Sequence, residues 1–183
     1  MKSKKMRINK GIVLLFLLVV GVVIFCIIDE AKYNSRKSAA EERARTFITN
    51  IAGVFSYPKD MPDVEAIELE RNADKYLKYL DAGIEKVRPL IYNSKALEDE
   101  LKNTGARFMT NYLVEDLKAE TVTLEPQITK IIIKKEVAIV TGNITSKTTF
   151  SKGKVKDKTM QFRLQLEYCN DNWVVTDFSL DQD

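Results

Sequence analysis

The sequence predicts an α+β domain attached to a single transmembrane helix, on three observations. Residues 11–28 form an uninterrupted apolar run, and residues 40–118 carry apolar side chains at helical spacing. From Thr121 onward the apolar period changes to two, which is typical of strands. Helices that precede a group of strands, rather than alternating with them, indicate helices packed on an antiparallel sheet.

The apolar run at 11–28 contains no charge, side-chain amide or proline. As a helix it would be roughly 27 Å long, close to the roughly 30 Å hydrocarbon core of a bilayer. The alternative is a cleaved signal peptide, whose apolar region usually has about 7–15 residues and ends at small residues. Asp29 and Glu30 follow the run instead. The run therefore predicts an uncleaved membrane anchor.

The charges on either side of this run predict its orientation. Five lysines and arginines lie within residues 1–10, and two acids follow the run. Because lysine and arginine are retained on the cytoplasmic side, we expect a single-pass protein of the cell membrane with a cytoplasmic N-terminus. The predicted segments are a cytoplasmic basic tail, a transmembrane helix, an extracytoplasmic helical stalk and an extracytoplasmic α+β domain, at 1–10, 11–28, 29–60 and 61–183.

The composition of the chain after the predicted membrane span argues against several classes of function. Five of the 29 basic residues lie in the tail, which leaves 24 bases against 26 acids and gives no overall attraction to nucleic acid. The chain has no histidine, and Cys26 lies in the predicted span, so only Cys169 remains outside it. The commonest general base and a cysteine–histidine zinc site are therefore missing. We expect no enzymatic activity, no metal and no cofactor.

The predicted stalk carries an amphipathic stripe. Its apolar residues recur at helical spacing: Ala40, Ala44, Phe47, Ile48, Ile51 and Phe55. Such a stripe packs on its own domain, on a second copy or on another membrane protein, and the sequence leaves these alternatives open. The candidate interaction residues are Phe47, Ile48, Ile51 and Phe55. Pro58 and Pro62 end the helix, and we place the domain boundary there.

Two further helical segments follow. Asp63 is a candidate N-cap, and apolar residues continue at helical spacing from Ala73 to Ile91. A second helix is predicted from Ser94 to about Lys118. Gly105 lies in its middle and costs about 1 kcal/mol relative to alanine, so two shorter helices are the alternative.

Four antiparallel strands complete the domain. They are predicted at Thr121–Lys134, Val137–Phe150, Met160–Tyr168 and Trp173–Leu180. Pro126 in the first strand indicates an edge position or a bulge. The third strand alternates apolar and polar residues most regularly, which predicts one buried face and one solvated face.

Two groups on this sheet are candidates for a functional site. Asp177 lies among apolar residues of the last strand. If its side chain points inward, it would be a cavity acid or base with a pKa raised by desolvation. If it points outward, which we favour, it is an ordinary surface carboxylate. Several lysines surround one hairpin tip: Lys147, Lys152, Lys154, Lys156 and Lys158. They predict either contact with an anionic polymer or lipid, or a solubilised hairpin. Without interleaved aromatic residues, direct binding of nucleic acid is not favoured.

The strand Val-Ala-Ile-Val-Thr-Gly at 137–142, followed by Asn-Trp-Val-Val-Thr-Asp-Phe at 172–178, resembles the cone-shaped fold of the nuclear-transport-factor-two type. Joined to a membrane anchor, it resembles the VirB-eight-like components of type IV secretion systems, and among these the TraH-type transfer proteins of Gram-positive conjugative plasmids. The resemblance implies a non-catalytic scaffold in the cell membrane that contacts other components of a DNA-transfer channel. The Asn-Pro-x-Gly dimerisation motif of Gram-negative members is absent, so self-association is left open.

Two other functions fit the same architecture. One is a membrane-tethered domain that binds a small ligand or acts as an isomerase, which needs an open apolar cavity with a convergent acid such as Asp177. If large side chains of the last two strands fill the cone, that function has no room for its ligand; the residues concerned are Phe162, Leu164, Leu166, Tyr168 and Trp173. The other is a membrane-anchored regulator that senses an external signal.

Overall fold

The computed structural model describes residues 10–92, 94–151 and 153–181, with side chains from residue 16 onward. It divides into two compact units, Met1–Ser38 and Ala39–Asp183. The first helix, α1, spans Lys10–Phe55, and its residues from Ala39 onward belong to the second unit.

The described part of the first unit, from Lys10 onward, is helical, and it exposes apolar side chains. Phe16, Phe25 and Ile27 are each more than 60% exposed. Within the residues that the structure describes, no helix combines the length and the apolar character needed to cross a membrane. The predicted span at 11–28 begins among residues 1–15, whose side chains lie outside the described part. The anchor therefore stays a prediction.

The second unit is built on a four-stranded antiparallel sheet with strand order β1-β2-β3-β4. The strands are β1 Ala119–Lys134, β2 Val137–Phe150, β3 Val155–Cys169 and β4 Asn172–Asp181. Alternate residues are buried along β2 and along β3 from Met160 to Leu166, as the sequence predicts, and these define the inner face of the sheet. The structure confirms the prediction, made from the periodicity, that helices precede an antiparallel sheet.

The edge strand β1 contains the irregularity that its proline indicates. Pro126 pairs with Ile144 of β2, and the register shifts shortly after it, between Ile128 and Lys130. Gly142 lies opposite this shift, where a Cβ would come within 2.1 Å of the backbone oxygen of Gln127. The strand bulges at a place where only glycine leaves enough space.

The segment from Asp63 to Ile91, predicted to be helical with a break or kink at Gly83 and Pro89, is a series of short helices. They are α2 Ala66–Arg71, α3 Ala73–Tyr76, a 3₁₀ turn Leu77–Leu80, α4 Asp81–Glu85 and a 3₁₀ turn Arg88–Leu90. Asp63 is not the N-cap of α2; it forms an ion pair with Lys118. The short helices pack on α5 through a small apolar cluster that contains Met61, Leu69, Tyr76, Leu80, Ala106 and Met109.

The helix α5 spans Lys95–Leu113 without interruption, so the alternative of two shorter helices is wrong. Its N-cap is Ser94, whose side-chain oxygen accepts a hydrogen bond from the backbone N–H of Leu97. Gly105 lies in its middle and is buried. The reason for this glycine lies in the packing between helices rather than in the helix itself.

The main core lies between the inner face of the sheet and the C-terminal part of α1. Phe47 contacts Phe178 of β4 edge to face, with ring centroids 5.4 Å apart, and Phe55 stacks on Phe108 of α5 at 5.0 Å. The predicted domain boundary near residue 60 therefore differs from the observed division after Ser38, because the stripe of α1 is part of this core.

Candidate interaction surface

Large side chains fill the inner face of the sheet. Phe162, Leu164, Leu166 and Trp173 are at most 3% exposed, and Tyr168 packs edge to face on Trp173 at 5.1 Å. Together with α1 they fill the space between that helix and the inner face of the sheet. This packing does not favour a carrier or an isomerase.

The stripe of α1 is buried rather than exposed. The four candidate interaction residues, Phe47, Ile48, Ile51 and Phe55, are all 0% exposed within the second unit. Of the three alternatives that the sequence leaves open, packing on the chain's own domain is the one observed. These residues form the core because the inner face of the sheet needs an apolar cover, and they offer no surface to a partner.

Most of the lysines at the β2–β3 hairpin have acidic neighbours. Lys156 forms an ion pair with Glu115, and Lys154 lies 3.9 Å from the same carboxylate. The hydrogen bond from Lys156 lowers the pKa of Glu115. Lys147 pairs in register with Asp157, Lys158 lies along the same strand, and Lys152 lies outside the described residues. Glu115 and Asp157 offset part of the positive charge of these lysines, and contact of the hairpin with an anionic polymer or lipid stays a prediction.

Asp177 points to solvent on the outer face of the sheet. Its carboxylate lies 3.4 Å from the guanidinium of Arg163, and both side chains are about half exposed. The outward orientation favoured from the sequence is the one observed. Nowhere in the described ranges do three or more histidine, cysteine, aspartate or glutamate side chains gather as metal ligands.

The second unit also has a groove with a volume of about 840 Å³. It lies between α2, α5 and the C-terminal end of β4. Leu69 and Ala73 line one side, and Phe178 and Leu180 line another. The exposed side of α5 contributes polar side chains to it: Glu100, Asn103, Thr104, Arg107, Thr110 and Asn111.

Three of these polar side chains form a row along α5. Asn103, Arg107 and Asn111 are four residues apart, so they lie above one another on the same side of the helix. All three are exposed. Within the described part of the chain, none of the three side chains makes a hydrogen bond or an ion pair. A guanidinium and two amides are therefore available to a ligand in the groove.

Comparison with known proteins establishes no family. No protein-family model and no curated protein matches this chain. Among solved structures, the chain is similar to CagV, a VirB8 homolog of a type IV secretion system from Helicobacter pylori strain 26695. The two share 13% sequence identity and a TM-score of 0.41, and the match covers 80% of this chain and 98% of CagV.

Two nuclear-transport-factor-two-like proteins are similar to the same region. One, from Salmonella enterica serovar Typhimurium, has 13% identity over 63% of this chain and 89% of its own, with a TM-score of 0.39. The other, of unknown function from Shewanella oneidensis MR-1, has 19% identity over 63% and 95%, with a TM-score of 0.36. At these identities and scores, the similarities do not assign a function to this chain.

Sequence reasoning did not single out Asn103, Arg107 or Asn111. Their i, i+4, i+8 spacing is visible in the sequence. A polar row on the outer side of an amphipathic helix is, however, also what ordinary solvation produces. Only the positions of α2 and β4, which face this row across the groove, distinguish it from a solvated surface.

Proposed function

We propose that this chain is a non-catalytic scaffold and assembly subunit of a conjugative type IV secretion complex in the cell membrane. Its outer domain contacts other components of the channel, and residues 11–28 anchor it. The alternatives, a tethered small-ligand domain and a signal-sensing regulator, are less well supported.

The observation that carries this proposal is the filled inner face of the sheet. The stripe of α1 and the large side chains of β3 and β4 fill the space between that helix and the sheet, where the cone would hold a substrate. What the domain offers to other molecules is its outer surface, including the groove along α5. We therefore propose that the domain acts by binding rather than by chemistry.

Two further observations support the membrane setting and the complex. Apolar side chains on α1 between Phe16 and Ile28 are exposed in the first unit, as expected of a helix that is covered by lipid. The proposal of a secretion complex rests on the resemblance of segments 137–142 and 172–178, together with the predicted anchor, to VirB-eight-like proteins.

Deletion of the gene from its host tests this function. A scaffold predicts loss of plasmid transfer with unchanged transcription of the other transfer genes, and recovery when the wild-type gene is supplied in trans. A regulator predicts altered transcription. Normal transfer in the deletion strain would contradict the proposal.

A further inference from the structure

The groove along α5 has the dimensions of a site for an extended polypeptide. Successive members of the row Asn103, Arg107 and Asn111 are four residues apart, which is about 6 Å along a helix. Two residues of an extended chain span about 6.6 Å. Successive side chains of the row can therefore contact alternate residues of an extended segment that lies along α5.

The chemistry of the row matches that of a polypeptide backbone. An asparagine side chain has one acceptor and two donors, so it can bond a backbone N–H and a C=O together. Asn103 and Asn111 have no such bonds to described residues. Across the groove, Ser179 and Leu180 belong to the edge strand β4, and peptides commonly bind beside an edge strand in extended form.

The charges in the groove are separated along its length. Arg107 lies midway along the row, whereas Glu100 lies nearly two turns before it on α5 and Glu70 lines the groove from α2. Glu100 and Arg107 are seven residues apart in sequence, which is about 10 Å along the helix axis and corresponds to about three residues of an extended chain. A complementary segment carries an acid opposite Arg107 and a base opposite the glutamates.

We infer that the groove binds an extended segment of a partner protein, through its backbone at Asn103 and Asn111 and through a carboxylate at Arg107. The inference rests on the proposed function in one respect: it names the kind of partner segment that the scaffold recognises. The occupant is a mixed-charge peptide in extended conformation, with an acidic residue two to four positions from a basic one.

Selection from a displayed library of random 12-residue peptides tests the charge of the occupant. The full chain is immobilised in detergent as wild type, as Arg107→Glu and as Lys130→Glu, a control with the same charge change on β1, outside the groove. The wild type and the control should enrich peptides with an acid near a base. Arg107→Glu should enrich peptides with a base in place of that acid.

A synthetic peptide from the wild-type selection then gives affinities by fluorescence anisotropy. Loss of a charged hydrogen bond should lower its affinity for Arg107→Glu by about 10-fold or more. Exchanging the acid of the peptide for lysine should restore binding to this variant. Asn103→Ala and Asn111→Ala should each lower the affinity about 5-fold for peptides of either charge, because they remove bonds to the backbone.

Enrichment of no peptide by the wild type would overturn the inference, and so would an acidic preference that Arg107→Glu retains. Circular dichroism of each variant shows whether it is folded; if Arg107→Glu is not, Arg107→Gln takes its place and should lose the acidic preference. These results depend on purified protein alone. A deletion strain with normal plasmid transfer would contradict the proposed function while leaving peptide binding intact, so the two failures are distinguishable.

Discussion

Gly105 of α5 lies directly against the backbone of Val54 in α1. A Cβ at position 105 would come within 2.5 Å of the carbonyl oxygen of Val54 and within 2.8 Å of its Cγ1. A glycine that lowers the stability of an isolated helix is thus what allows two core helices to touch. Gly83 of α4 meets α1 in the same way, at the backbone of Gly53.

Gly105→Ala should destabilise the domain. Overpacking a core costs about 1–3 kcal/mol, and alanine in a helix recovers about 1 kcal/mol, so we expect a net loss of up to about 2 kcal/mol. A loss of this size lowers Tm by roughly 4 °C in a chain of this length. The single tryptophan, Trp173, is 1% exposed and reports unfolding by its fluorescence.

Gly53→Ala is the matched control. A Cβ at position 53 meets only the Cα of Gly83, at 3.6 Å, which is ordinary van der Waals contact. This substitution in α1 should leave Tm unchanged or raise it slightly through helix propensity. Equal effects of Gly105→Ala and Gly53→Ala would contradict the close approach of the two helices.

Phe47→Ala should unfold the domain more readily rather than change its oligomeric state. Phe47 is 0% exposed and contacts Phe178, and truncation of a buried phenylalanine costs about 3–5 kcal/mol. Ile67→Ala is the control, because Ile67 is 58% exposed. Urea denaturation followed by Trp173 fluorescence measures both. A lower mass of Phe47→Ala by light scattering, with unchanged stability, would instead show that the stripe forms an interface between copies of the chain.

The ion pair of Glu98 with Arg88 should make stability depend on pH. Arg88 donates two hydrogen bonds to this carboxylate, at 2.9 and 3.1 Å, and they lower the pKa of Glu98. A lowered carboxyl pKa stabilises the folded state above the unfolded value of about 4.3, and that stability is lost as pH falls through the folded pKa. Glu98→Gln should therefore be less stable than wild type at pH 7, by less than about 1 kcal/mol.

This difference between Glu98→Gln and wild type should shrink between pH 7 and pH 3, because falling pH protonates the Glu98 carboxylate and removes its charge. Urea midpoints at the two pH values measure it. Glu100→Gln is the control, since Glu100 has no ion pair among the described residues, and it should show the same small difference from wild type at both pH values. A Glu98→Gln difference that persists in acid would show that packing, not charge, is its cause.

The predicted orientation can be tested on cells. Protease added to intact, wall-stripped cells should remove an epitope tag placed after the C-terminal residue, since the domain is expected outside the membrane. A cytoplasmic marker protein should stay intact in the same sample. Retention of the tag, with digestion only after detergent lysis, would reverse the orientation.

Local patterns in the sequence predicted the sheet well. Val137–Phe150 has the predicted bounds, and the other strands differ from theirs by a few residues at their ends. The reason is that side chains of a strand alternate between two faces, so a sheet with one buried face leaves a period of two. The turns between strands are equally local: Lys135, Asn170 and Asp171 have positive φ angles.

The sequence alone could not decide which surface covers which. Periodicity marked the apolar stripe of α1 and left its partner open, because an apolar face has the same pattern whether it meets its own sheet or a second chain. Only the tertiary structure shows that Phe47 packs against the inner face of the sheet. It also shows that Gly105 is needed in α5 because Val54 lies against it, and that Arg107 lines a groove. Each of these outcomes depends on residues that are far apart in the chain, and a local pattern carries no information about such distances.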